Sequence, residues 1–75
     1  MSRQEIEAKI PELKKFAEAA GLAEIVKLLT DTATLAPADL IARMKRCLEL
    51  TGGKDEYALL YDQLDMLVLN LGNLK

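Results

Sequence analysis

The stretch from Tyr57 to Leu71 constrains this chain more than any other. Tyr57, Leu60, Tyr61, Leu64, Leu67, Val68 and Leu71 follow one another at spacings of 3, 1, 3, 3, 1 and 3. At about 100° per residue these seven side chains fall within an arc of about 120° on one face of an α-helix, whereas a strand would scatter them over both faces of a sheet. A helix over about 55–71 therefore needs an apolar layer beneath it, and the rest of the 75-residue chain has to supply that layer. That length is roughly half of a common domain, which predicts a single helical domain over 1–75. Composition agrees: the chain is 51% hydrophobic, with 15 Leu, 10 Ala and only 4% aromatic residues. It is too apolar for disorder and too rich in helix formers for a β-sandwich or barrel.

Glycine and proline punctuate the remainder. Ser2 and Glu5 have capping-box spacing, and Ile6, Ile10, Leu13, Ala17 and Ala20 then hold one helical stripe up to Gly21. Pro11 interrupts it; an internal proline removes a backbone hydrogen bond and costs about 3 kcal/mol, whereas at a first helical position it costs little. The expectation is a short helix over about 3–9 and another over 11–20. Gly21 suits a left-handed cap, after which Leu22, Ile25, Val26 and Leu29 predict a helix over 22–30. Residues 31–36 form a connector, and Pro37 opens a helix over 37–51 whose stripe is Leu40, Ile41, Met44, Cys47 and Leu48, closed by Gly52-Gly53. The predicted fold is all-α, a single small bundle of four or five helices with the last as its spine.

Most chemistry is set aside by what the sequence lacks. There is no His, one Ser and one Cys, so no nucleophile and base can be assembled. Cys47 lies on an apolar stripe and reads as a packed core thiol. Thr51-Gly52-Gly53-Lys54 lacks phosphate-loop spacing, and Asp55, Glu56, Asp62 and Asp65 lack that of a calcium loop. No catalytic residue, cofactor, metal or small-molecule substrate is expected. The net charge is -2, with no window of 18 apolar residues to suggest a membrane span. A single Cys without a signal-like leader predicts the reducing cytoplasm.

Two local features carry functional expectations. The first is the basic group Arg43, Lys45 and Arg46: residues 36–54 hold four positive and two negative charges, whereas residues 55–75 hold one positive and four negative. This flank would contact phosphate if the chain were a small helical nucleic-acid binder. The negative net charge, the long connector and the absence of Asn or Gln on this helix favour instead a charged rim, with Asp39 and Arg43 paired one turn apart. The second is another apolar stripe on the last helix. Counted round the helix from Tyr57, Leu59 stands at about 200°, Met66 at about 180° and Leu69 at about 120°, interleaved with Asp62 and far from the core face. Either the helix is central and buried all round, or Leu59, Asp62, Met66 and Leu69 form a protein interface. The expected function is a non-enzymatic protein–protein interaction module, a small regulator or adaptor, that forms a homodimer or binds another protein through this face.

Overall fold

The computed structural model describes residues 2–73 and contains four α-helices among them. Ser2 starts α1 (Arg3–Ala19) with a reciprocal cap: its hydroxyl accepts from the Glu5 N–H at 3.2 Å, and its own N–H donates to the Glu5 carboxylate at 3.2 Å. The Ser2 N–H, followed by its hydroxyl, holds the Glu5 carboxyl below the usual carboxylate range.

The expected break at Pro11 does not occur, and helices over 3–9 and 11–20 are replaced by one helix running through the proline. Pro11 faces solvent, so water can reach the carbonyl one turn back that loses its partner. Ile6, Ile10, Leu13 and Ala17 lie on the opposite side, all buried on a single stripe. Burying four side chains in register outweighs a penalty of about 3 kcal/mol, since each large one contributes about 1.5–3 kcal/mol.

Gly21, at φ +76°, turns the chain out of α1 in a Schellman motif: the Leu22 N–H reaches the Ala17 carbonyl at 2.8 Å and the Gly21 N–H the Glu18 carbonyl at 3.1 Å. Helix α2 (Ala23–Leu28) has only six residues, shorter than the predicted 22–30. The Pro37 start and Gly52 stop place α3 (Pro37–Thr51) where the sequence predicts it. A 3-10 turn over Asp55–Tyr57 leads into α4 (Ala58–Gly72).

Helix α4 packs against both α3 and α1, while α2 bridges α1 and α3. Its core line is Leu60, Leu64, Leu67 and Leu71, narrower than the predicted seven. Tyr61 is exposed, and Tyr57 and Val68 are only half-buried. The four leucines span about 60° of the helix, leaving Tyr61 about 90° from their mean direction. No helix is long and apolar enough to cross a membrane among the described residues.

Candidate protein-interaction face

With α3 and α1 covering the leucine line, the far side of α4 is left to solvent. Leu59 is 65% exposed, Leu69 62% and Met66 42%, and Asp62 between them is exposed as well. The alternative of a central α4 buried all round is therefore overturned: three large apolar side chains stand outside the core on one helix face. Leu59, Asp62, Met66 and Leu69 are separated by three, four and three residues. That is the a/d spacing of a coiled-coil seam, here over positions 59–69, about one and a half heptads, with an aspartate at one position. Met66 also borders a small depression between α4 and α1, about 140 Å³, lined by Lys9, Glu12, Leu13, Gln63 and Leu67. Leu50, a further off-stripe leucine, is half-buried against the core and does not extend the face.

On the basic flank of α3, Arg43 differs from Lys45 and Arg46, which are exposed. Arg43 is half-buried and donates from Nη1 to the Leu28 carbonyl at 3.1 Å and the Thr30 carbonyl at 3.0 Å. These groups belong to the C-terminal exit of α2, where carbonyls lack helical partners and the dipole favours a cation. The predicted Asp39–Arg43 pair gives way to this cap, since a guanidinium shared by two carbonyls at a helix end gains more than an exposed pair one turn apart. Arg46 bonds the Glu49 carboxylate at 3.0 Å and that of Glu24, on α2, at 3.2 Å. Those partners, Glu49 first, push the Arg46 guanidinium above its ordinary value. Lys45 is exposed.

A second clamp has no signature in the sequence. Arg3 donates from Nη2 to the carbonyls of Thr32 and Leu35, both at 2.9 Å, and from Nε to Glu7 at 2.9 Å. Thr32, itself buried, donates its hydroxyl to the other Glu7 oxygen at 3.2 Å. The connector is thus pinned to the first turns of α1 by one guanidinium. Its partners lie 29 and 32 residues away, a separation at which spacing rules carry no information.

The nucleophile-type side chains are occupied by structure. Ser2 is engaged in the α1 cap, and Cys47 is wholly buried, its thiol pushed up to about 11 chiefly by burial. No group of three or more Cys, Asp or Glu is placed to hold a metal ion among the described residues. A shallow groove lies at the α1–α2 corner, lined by Gly21, Leu22, Val26 and Thr30 with Glu18 and Lys27 at its edge. No protein-family model matches the chain, and no curated protein or solved structure matches it either.

Proposed function

We propose that the chain is a non-enzymatic protein-interaction module of the cytoplasm, a small regulator or adaptor, that self-associates through the outer face of α4. The observation that carries this reading is the exposure of Leu59, Met66 and Leu69 on a helix whose opposite side is already filled by leucine. An aligned apolar set that the fold leaves uncovered gains by being buried against a second surface. The nucleic-acid reading has less support, because the half-buried Arg43 guanidinium is committed to the Leu28 and Thr30 carbonyls and Arg46 is paired with Glu24 and Glu49.

Light scattering over a hundredfold dilution, with helix content followed in parallel, tests the proposal. The expected result is a mass that falls towards that of one chain on dilution. Met66→Lys keeps the helix content and holds the protein at the mass of one chain at every concentration. A wild-type protein of single-chain mass throughout the range would refute self-association, and unfolding of the Met66→Lys variant would contradict the exposure of that face.

A further inference from the structure

The outer face of α4 is acidic as well as apolar. Helix α4 carries Asp62 and Asp65 and has no Lys or Arg, and the 3-10 turn before it adds Asp55 and Glu56. All four carboxylates are exposed, and among the described residues none is in an ion pair, whereas Glu7, Glu24 and Glu49 are each held by an arginine. Cations nearby are fewer. Lys54 shares a depression with Asp55 and Asp62 and stands 5.8 Å from the centre of the Tyr57 ring, while Lys9 of α1 lies by Met66 together with Glu12. Leu59, Met66 and Leu69 therefore stand in a field of uncompensated negative charge. Two copies meeting here bring carboxylate to carboxylate, which weakens their pairing, and an anionic lipid surface is repelled in the same way. A partner with a basic rim is attracted.

The relief of the face adds a place for an anchor. Beside Met66 the surface dips between α4 and α1 into a depression of about 140 Å³, lined in part by the buried Leu13 and Leu67. That is close to the volume, about 150 Å³, of an apolar cavity that takes up benzene, so one Leu, Met or Phe side chain fits. Leu59 and Leu69 are ten residues apart, or about 15 Å along the axis, which makes the apolar strip long and narrow, the shape that a single helix covers. We infer that the outer face of α4 takes a basic amphipathic helix of another protein, an inference that rests on this face being an interaction surface and not on its pairing with a second copy. The apolar side of that helix lies on Leu59, Met66 and Leu69, one of its side chains enters the depression, and its Lys or Arg residues run along Asp62 and Asp65. It displaces a second copy, since both occupants need the same three side chains. Salt screens the attraction, so binding weakens as ionic strength rises.

The probe is a synthetic amphipathic helix of about 18 residues, slightly longer than α4, with leucines along one side and lysines flanking them. Two companions separate the contributions: the same peptide with every Lys replaced by Glu, and a scrambled peptide of identical composition with no apolar side. Fluorescence anisotropy of the labelled peptides reads affinity, and light scattering reads the mass of the complex. The expected result is binding of the lysine peptide alone, one per chain. Met66→Ala should weaken it about fivefold or more, as for an anchor contact. Asp62→Asn and Asp65→Asn should each weaken it about two- to fivefold, the range of an exposed ion pair, with helix content unchanged. No binding of the lysine peptide, equal binding of either companion, or an affinity that Met66→Ala leaves unchanged would overturn the inference. So would a wild-type dimer whose mass the lysine peptide does not lower. Single-chain mass at every concentration with the lysine peptide bound would refute self-association while the basic partner stands.

Discussion

Replacing Arg3 by Met removes a guanidinium while keeping most of the apolar stem, which isolates the clamp on the connector. Arg3 and Glu7 are each about one-quarter exposed, at 26% and 25%. Their pairing at i, i+4 is worth about 0.3–0.5 kcal/mol. The two bonds to the Thr32 and Leu35 carbonyls add about 1 kcal/mol each, a value held at the lower end because water can reach these half-covered groups once the arginine is gone. The total is about 2–3 kcal/mol, against an overall stability of about 4–11 kcal/mol for a chain of this length. Urea unfolding should show that loss at an unchanged slope, and the melting temperature should fall by roughly 10–20 °C. Amide exchange should accelerate first at Leu35, whose N–H bonds the Thr32 carbonyl at 3.1 Å in the pinned connector. Glu7→Gln, which retains an oxygen for Thr32, should cost less than half as much. A loss smaller than about 0.5 kcal/mol for Arg3→Met, the range of an ordinary surface substitution, with exchange unchanged across 31–36, would refute the idea that the connector is held from α1.

Leu64→Ala removes a wholly buried side chain and should cost about 2–5 kcal/mol in urea unfolding, whereas Leu59→Ala, on the exposed face, should stay within about 0.5 kcal/mol. Because the Glu5 carboxyl is held below its ordinary value, its contribution is present above the unfolded pKa and is lost as pH falls through the folded one. Helix content of the wild-type protein should therefore decline more on acidification than that of Glu5→Gln, measured by circular dichroism. The Cys47 thiol has the opposite sign: raised from 9.0 to about 11, it weakens the fold as pH climbs through that interval. Cys47→Ala should flatten the alkaline part of the stability profile, and a thiol reagent should label the wild-type protein only at the rate at which it unfolds.

Local signals in the sequence are sufficient for most helix ends. The Ser2 and Glu5 cap, the Gly21 turn, the Pro37 start and the Gly52 stop each depend on neighbours within a few residues, so their chemistry can be read along the chain. Pro11 misleads a local reading because its penalty is local while the compensation is not: Ile10 and Leu13 on either side are held by α4 and the other helices, which no window contains. The same reason hides the Arg3 and Arg43 clamps, whose acceptors are backbone carbonyls, present at every residue and therefore without a sequence signature. The outer stripe of α4 can be read from its phase, but only the packing of α3 and α1 on the leucine line decides that it faces solvent.

Helix α2 illustrates how far a segment's shape can be decided elsewhere. Six residues are too few to sustain a helix in water, and its start has no side-chain cap. Its last carbonyls are closed by Arg43, which belongs to the helix that follows, and Glu24 near its start is tied to Arg46 one turn further along that same helix. Its persistence and its end are thus held by contacts that exist only when α3 has docked. If α2 forms late, Arg43→Met should speed unfolding and leave the refolding rate nearly unchanged. A fluorophore or isotope label placed on α2 would accordingly report completion of the fold rather than its beginning.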